Sequence, residues 1–292
     1  MHNLLVLGAL RGFHTALYQA DESLRTTVMC LSSSARLVDQ RSRHTEVLEL
    51  DEGLPLDAWL AIAEARHTKW PFTGIVILGE GEAPFGAVIA QRLGLDAHHP
   101  ETVRSVSDKA VMRRVLSASQ VDSTRFALAH NYRDCPELAA EVGYPLIVKP
   151  VNGSGSRAVS FVQDQADLAS ALDWFRESDY NLPLLMEEAF LGQEYSVEAF
   201  TDAGVPRILA VTRKFTDPLH CVEQGHVLPA VLPLQQVESL ERFTSRVLQA
   251  LGISSGPTHT EVIYTRQGPR LVETHLRPAG DRIPDLLKAA TG

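Results

Sequence analysis

The chain has 292 residues, of which 45% are hydrophobic and 22% are charged, and its formal net charge is −9. This length supports two or more domains with hydrophobic cores, and the acidic balance argues against a general nucleic-acid surface. Cys30, Cys135 and Cys221 form no CxxC pair, which favours reduced thiols in a cytoplasmic protein. No apolar run is long enough to span a membrane, and the amino-terminal residues indicate a first strand rather than a signal peptide.

The first hundred residues alternate short apolar strands with helical segments. Strands are predicted at 4–7, 27–31, 46–50 and 74–78, and helices at 13–19, 57–66 and 85–93. Such alternation indicates a parallel sheet buried on both faces, so this region is predicted to be an α/β domain. The glycines after the first strand, in GALRG, do not match GxGxxG, and a dinucleotide site is therefore not expected.

The stretch YPLIVKPVNGSGS combines a short apolar strand with a loop of small residues. Lys149 ends the strand, and Gly153 and Gly155 lie in a loop whose backbone N–H groups can approach an anion closely. A lysine beside such a loop suits a polyphosphate, although an ordinary strand followed by a glycine-serine turn is compatible with the same residues. The loop is not a Walker A motif, because the Gly-Lys-Ser/Thr ending is absent.

The segments around this stretch predict a small α+β domain. Residues 107–117 predict a helix with Ser107 as its N-cap, and Lys109, Arg113 and Arg114 form its basic face. On an isolated helix such a face is most often simply solvated. The other predicted elements are strands at 125–128 and 158–162 and helices at 135–142 and 165–176.

Carboxylates recur in the next segments. Glu187 and Glu188 end an apolar strand, and Glu194 lies on the polar face of the alternating stretch QEYSVEAF. A polar face of a sheet is usually only hydrated, but several carboxylates opposite a lysine and a glycine loop favour a ligand site. The segment FTDPLHCVEQGHVLPAVLP follows without a regular pattern, and long irregular segments of this kind are often functional.

Two carboxylates are predicted to face each other in a hairpin near the carboxyl terminus. The strands HTEVIY and RLVETH are joined by TRQGP, and a hairpin centred on Gln267 pairs Glu261 with Glu273. Like charges directly opposite each other are destabilising, and a divalent cation such as Mg²⁺ would remove the repulsion. The alternative is a slip of one residue that turns one glutamate to solvent.

Together these segments resemble the ATP-grasp superfamily of carboxylate–amine ligases. The resemblance rests on Lys109, YPLIVKP with NGSGS, LLMEEAFLGQEYSVEAF, HTEVIY and LVETHLRPAGDRI, in that order. Within the superfamily, RKFTDPLHCVEQGHVLPA and HLRPAGDRIP are most similar to the L-amino acid ligases, which join two unprotected amino acids.

The resemblance implies an α/β and α+β fold in three parts. These are a Rossmann-like pre-ATP-grasp domain over residues 1–100, a small lid domain with its connecting helix over 101–182, and a larger catalytic α+β domain over 183–292. Relatives in this branch usually continue further, so the catalytic domain is expected to be truncated at its carboxyl terminus.

The resemblance also implies a role for each candidate residue. ATP would contact Lys109, Lys149, Gly153, Ser154, Gly155, Ser156, Glu187, Glu188, Phe190 and Glu194. In this set the lysines would hold the α- and β-phosphates, Glu187 with the backbone after it would face the adenine amino group, and Glu194 would bind the ribose. Glu261 and Glu273 would bind Mg²⁺, with Mn²⁺ as an alternative, whereas His275 is not expected to be a ligand. The substrate would contact Glu223, His226, Arg277 and Gly280, and catalysis would depend on Arg277, Lys149 and Ser154.

The implied activity is ATP- and Mg²⁺-dependent activation of an amino acid carboxylate as an acyl phosphate, followed by attack of an amine. The alternatives are a carboxylase or carbamoyl-phosphate type of enzyme that acts on bicarbonate, and an ATP-binding protein with weakened catalysis. The expected partners are amino acids and ATP rather than nucleic acid or a membrane. Dimerisation through the amino-terminal domain, common in this superfamily, suggests a homodimer.

Overall fold

The chain divides into two compact units, residues 1–103 and 104–292. The structure is a computed structural model, and it describes residues 2–153, 155–217 and 221–292. Among these residues, no helix combines the length and the apolar character that crossing a membrane requires. The division into three domains proposed from the sequence stays a prediction.

The amino-terminal unit contains a four-stranded parallel sheet in the order β3-β2-β1-β4. Its elements are β1 (Asn3–Leu7), α1 (Phe13–Ala20), β2 (Arg25–Leu31), β3 (Glu46–Leu50), α2 (Leu56–Lys69), β4 (Gly74–Ile77) and α3 (Ala83–Leu93), and α4 (Pro100–Ser107) follows. Leu5 and Leu7 pack in one apolar cluster while Val6 packs in another. Both faces of the sheet are therefore buried, which explains why its strands are continuous apolar runs.

The carboxy-terminal unit contains two antiparallel sheets. Its elements are α5 (Lys109–Ala118), β5 (Phe126–Ala129), α6 (Cys135–Val142), β6 (Leu146–Pro150), β7 (Ser160–Val162), α7 (Gln165–Arg176), β8 (Leu184–Glu188), β9 (Gln193–Asp202), β10 (Val205–Thr216), β11 (Glu223–Val227), α8 (Leu234–Ala250), β12 (Gly256–Thr265), β13 (Gly268–His275) and α9 (Ile283–Thr291). The strands are ordered β5-β8-β6-β7 in the smaller sheet and β11-β10-β9-β12-β13 in the larger one.

The larger sheet separates an apolar core from a polar face. Tyr195 and Val197 of β9 pack with Leu240 and Val247 of α8 in one buried cluster. The alternate residues of β9, which include Ser196 and Glu198, point to the other side, as the alternation in the sequence predicts. This polar face is buried rather than hydrated, since Glu198 is only 6% exposed.

Two local predictions are corrected by the structure. Helix α5 is capped by Asp108, whose carboxylate accepts hydrogen bonds from the backbone of Ala110 and Val111, and Ser107 ends the preceding helix instead. An aspartate is an equally good cap, so the sequence did not distinguish the two neighbours. The segment predicted to be irregular contains the edge strand β11, which pairs with β10. Its residues have little β-propensity of their own, and the pairing is supplied by β10.

A β-bulge sets the pairing in the carboxy-terminal hairpin. The turn is two residues long, because Thr265 pairs with Gly268, and a regular ladder from this turn would place Glu261 opposite Val272. The register shifts beyond Val262, so Val272 is opposite no residue of β12 and Glu261 pairs with Glu273. The predicted pairing of these two glutamates is confirmed, although the hairpin is not centred on Gln267.

Candidate active site

A cavity of about 1080 Å³ in the carboxy-terminal unit brings most of the predicted site residues together. The residues that line it include Lys109, Lys149, Gly153, Gly155, Ser156, Glu187, Glu188, Phe190, Glu194, Glu223, Glu261, Glu273, Arg277 and Gly280. Ser154 lies outside the described residues. His226 does not line the cavity, but its Nε2 atom lies 3.5 Å from Oε2 of Glu223.

The paired glutamates of the hairpin are each held by a lysine. Nζ of Lys109 lies 2.8 Å from Oε2 of Glu273, and Nζ of Lys214 lies 2.8 Å from Oε1 of Glu261. Burial acts to raise the pKa of both carboxyl groups, but the neighbouring ammonium groups outweigh it and hold each pKa well below its ordinary value. Both side chains are therefore ionised at neutral pH and offer the charged oxygen ligands that Mg²⁺ prefers.

Two histidines extend the carboxylate pair. His275 Nε2 lies 3.1 Å from Glu273 Oε1, and His259 bridges Glu198 and Glu261 at 2.8 and 3.2 Å. Burial acts to lower the pKa of His259, yet these two carboxylates raise it to about 10. One ligand atom each from Glu261, Glu273 and His275 lies within 4.8 Å of the others, so the three could surround one cation.

Lys214 is a central residue of the site that the sequence analysis missed. Its ammonium lies 2.9 Å from Glu194 Oε1 and 2.5 Å from Glu223 Oε1, in addition to its contact with Glu261. The side chain is only 2% exposed. One cation thus joins residues predicted separately to bind the ribose, the substrate and the metal. The alternation of Thr212, Lys214 and Thr216 along β10 was the available signal.

A buried ion cluster holds the start of the glycine loop. Glu187 forms a bidentate pair with Arg113, with distances of 2.9 and 3.1 Å, and also accepts a hydrogen bond from Lys149. Burial acts to raise the pKa of Glu187, but the two cations lower it to about 2. The Glu187 carboxylate is therefore engaged with Arg113 and Lys149, whereas the resemblance implied that it faces the adenine. Burial lowers the pKa of the Lys149 ammonium despite the Glu187 charge.

The loop after β6 bridges the two sides of the cavity. Lys109 Nζ donates a hydrogen bond of 2.7 Å to the carbonyl of Gly153, and Ser156 Oγ donates one of 2.8 Å to the carbonyl of Cys221. Gly153 has φ 111°. A Cβ atom at this position would lie 2.4 Å from the Tyr180 hydroxyl, so a larger residue would displace the loop.

A hydrogen bond between side chains links Glu223 to Asp281, a neighbour of the predicted residue Gly280. Burial and a hydrogen bond to Asp281 raise the pKa of Glu223 to about 7. The same hydrogen bond lowers the pKa of Asp281. With His226 they form a second group whose ligand atoms lie within 4.8 Å of one another. The arrangement is suited to a cationic ligand such as an ammonium group, because deprotonation of Glu223 would leave two adjacent negative charges.

We expect Glu223 to make stability depend on pH near neutrality. Its folded-state pKa of about 7 exceeds the ordinary value of 4.5, so the folded protein binds more protons than the unfolded chain between these values. Stability should therefore fall as pH rises through this window. Relative to Glu223→Gln, the native chain should lose about 2 kcal/mol of unfolding free energy between pH 5 and 7.5, measured with urea. Glu177→Gln, at an exposed position, is the control, and parallel curves for the native chain and Glu223→Gln would refute the prediction.

Known proteins share the fold and are similar in sequence over two thirds or more of this chain. A crystal structure of the L-amino acid ligase from Bacillus licheniformis superposes with a TM-score of 0.81, over 97% of this chain and 68% of that one, at 23% identity. This similarity defines an ATP-grasp fold. Residues 142–285 match the family described as ATP-grasp domain.

Relatives in sequence come from more than one branch. An uncharacterised protein of Sinorhizobium fredii is 28% identical over 93% of this chain, which spans 57% of that protein. The carbamoyl phosphate synthase large chain of Kineococcus radiotolerans is 24% identical over 66% of this chain, which spans 18% of that protein. The alanine–anticapsin ligase of Bacillus subtilis is 26% identical over 69% of this chain and 48% of its own length. The chain therefore spans less than two thirds of each of these relatives.

Proposed function

We propose that this protein is an ATP- and Mg²⁺-dependent ligase that joins an amino acid carboxylate to an amine, most simply that of another amino acid. The observation that carries the proposal is the pairing of Glu261 with Glu273 at the wall of the large cavity, each beside a lysine. Similarity to an alanine–anticapsin ligase and to an L-amino acid ligase supports the choice of an amino acid substrate.

The residues present fit a divalent cation. Glu261 and Glu273 supply ionised oxygens from adjacent strands, and Lys109 and Lys214 already compensate these charges in the protein alone. We therefore assign Glu261 and Glu273 as the ligands. When bound, Mg²⁺ would neutralise charge on the phosphate groups of ATP.

The remaining roles follow from charge and position. Lys109 and Lys149 provide positive charge beside the Gly153 loop, where the polyphosphate would lie. In the proposed reaction, a carboxylate oxygen bonds to the γ-phosphorus as the bond to the bridging oxygen breaks and ADP leaves. The amine then attacks the acyl carbon, loses a proton, and inorganic phosphate departs. Arg277 lines the cavity and is proposed to contact the acyl phosphate.

The group formed by Glu223, His226 and Asp281 is proposed to hold the ammonium of an amino acid. A hydrogen bond joins the carboxyl groups of Glu223 and Asp281, and Lys214 lies beside Glu223. Loop residues Gly153–Ser156 are proposed to cover the reacting groups and exclude water, since hydrolysis of an acyl phosphate would compete with amide formation.

Phosphate release from Mg²⁺-ATP is the test of this function. Free amino acids should be supplied singly and in all pairs, and bicarbonate should be supplied alone. Stimulation by particular pairs, with a product mass equal to the sum of the two amino acids minus water, is the expected result. Stimulation by bicarbonate without any amino acid would instead support a carbamoyl-phosphate type of activity, which the similarity to carbamoyl phosphate synthases favours. ATP binding without turnover under every condition would contradict both.

A further inference from the structure

A second cavity in the carboxy-terminal unit is lined by arginines and is separate from the large one. Its volume is about 300 Å³, and none of the described residues lines both cavities. Arg242 and Arg246 reach it from α8, and Arg270 reaches it from β13. We call it the arginine cavity. It concentrates positive charge in a chain whose formal net charge is −9.

The only carboxylate lining the arginine cavity, among the residues that the structure describes, is Asp122. Its Oδ1 accepts hydrogen bonds of 2.9 and 2.5 Å from the backbone and hydroxyl of Thr124, and its Oδ2 accepts one of 2.9 Å from the backbone of Leu271. Nη2 of Arg270 lies 3.4 Å from Oδ1, which is a loose contact. Asp122 therefore compensates only part of the charge of three guanidinium groups.

One guanidinium donor in this cavity is buried and unused, and the other two arginines, Arg242 and Arg246, are exposed. Nε of Arg270 is buried and has no hydrogen-bond partner in the described part of the chain. Within residues 2–153, 155–217 and 221–292, no hydrogen bond or ion pair occupies Arg242, and Arg246 donates one bond of 3.1 Å to the carbonyl of Gln120. Arg242 and Arg246 are four residues apart on α8, where like charges repel. An anion between them would remove the repulsion and satisfy the buried donor.

We propose that the arginine cavity binds a small polyvalent oxyanion of phosphate chemistry. The planar guanidinium fork matches pairs of phosphate oxygens, and three such groups converge on one small space. The volume suits inorganic phosphate or a small phosphomonoester. Serine hydroxyls of Ser123 and Ser239 also line the cavity and are additional donors for such oxygens.

The arginine cavity also adjoins the proposed ATP site through Arg270. Its guanidinium carbon lies 4.5 Å from the centre of the Phe190 ring, and both Phe190 and Leu271, the next residue of β13, line the large cavity. An anion that draws Arg270 away from Phe190 would therefore alter the wall of the large cavity. This coupling, unlike the binding itself, rests on the proposed function, because only that proposal assigns Phe190 to ATP.

Calorimetric titration of the full chain with inorganic phosphate, without nucleotide, tests the proposed site. Arg242→Gln/Arg246→Gln should weaken binding at least about tenfold, since it removes two charged bidentate partners. Arg114→Gln/Arg207→Gln is the control, because it makes the same charge change at exposed positions outside the lining. Its affinity should equal that of the native chain.

Three results would overturn the proposal. These are no binding by the native chain, equal weakening in both double variants, or loss of binding in Lys149→Met with retention in Arg242→Gln/Arg246→Gln. The last result would locate the anion in the large cavity. Titration with glycerol phosphate tells whether the natural ligand is a phosphorylated metabolite or free phosphate. Tighter binding of glycerol phosphate than of inorganic phosphate indicates a phosphorylated metabolite, and weaker binding indicates the free ion. Because no turnover is measured, failure of the ligase proposal would leave these results unchanged.

Discussion

Replacing Glu273 with glutamine is expected to lower ATP-dependent phosphate release by about 1,000-fold or more, which corresponds to about 4 kcal/mol in the barrier. The amide has the same shape but lacks the charge with which Glu273 would hold a divalent cation. Lys109 would retain its hydrogen bond to Gly153, so the fold should persist. The rate should be measured at saturating ATP and Mg²⁺, with circular dichroism to verify folding.

Glu137→Gln is the matched control for this experiment. Glu137 is an exposed glutamate of α6 that does not line the large cavity, so its loss should leave the rate within about twofold of the native value. A folded Glu273→Gln protein that keeps more than a tenth of the native rate would refute the assignment of the metal ligand. Raising the Mg²⁺ concentration should restore little activity, because the missing ligand also orients the cation.

Lys214→Met should produce the largest loss of stability, about 3 kcal/mol in the free energy of unfolding at pH 8. The methionine fills similar space but leaves Glu194, Glu223 and Glu261 without the cation they share. Their folded-state pKa values should rise in this variant. The folded variant would then bind more protons than the unfolded chain, so the loss should shrink as the pH falls from 8 to 6.

Addition of Mg²⁺ distinguishes a cation site from a simple packing defect. If the carboxylates around Lys214 can hold a divalent cation, Mg²⁺ should raise the unfolding free energy of Lys214→Met more than that of the native chain. Lys288→Met, at an exposed position of α9, is the control and should change stability by less than about 0.5 kcal/mol. Equal losses in the two variants would contradict the central role of Lys214.

Strands and helices were predicted well from the sequence where burial gives the hydrophobic residues a regular spacing. β1 and β4 are continuous apolar runs because both of their faces are covered, and β9 alternates because one face is apolar and the other polar. The opposition of Glu261 and Glu273 was also predicted, although the observed hairpin reaches this pairing through a two-residue turn and a bulge rather than through a centre at Gln267.

The burial and contacts of residues with partners far away in the chain could not be predicted from the sequence in the same way. Arg113 belonged to a predicted solvated face, yet it is 1% exposed and pairs with Glu187, 74 residues away. Its neighbour Arg114 does remain exposed. Nothing in the local pattern of α5 distinguishes these two arginines, because the difference is created by the packing of β8 and β13 against one side of the helix.

A bulge in β10 determines which of its basic residues lies opposite Glu194. The turn pairs Val205 with Asp202, and a regular ladder from there would bring Arg213, not Lys214, opposite Glu194. The register shifts between Ile208 and Ala210, after which Arg213 pairs with Tyr195. Bulge positions depend on side-chain packing across the sheet, and the sequence of one strand does not reveal them.

The unpaired Val272 has a consequence for comparisons between homologues. A two-residue turn with a bulge opposes Glu261 and Glu273, and a three-residue turn with an uninterrupted ladder would oppose the same two positions. The number of residues between the two glutamates is identical in both hairpin geometries. Homologues can therefore exchange one hairpin geometry for the other without any gap in their alignment, so that constant spacing in this motif conceals differences in backbone shape.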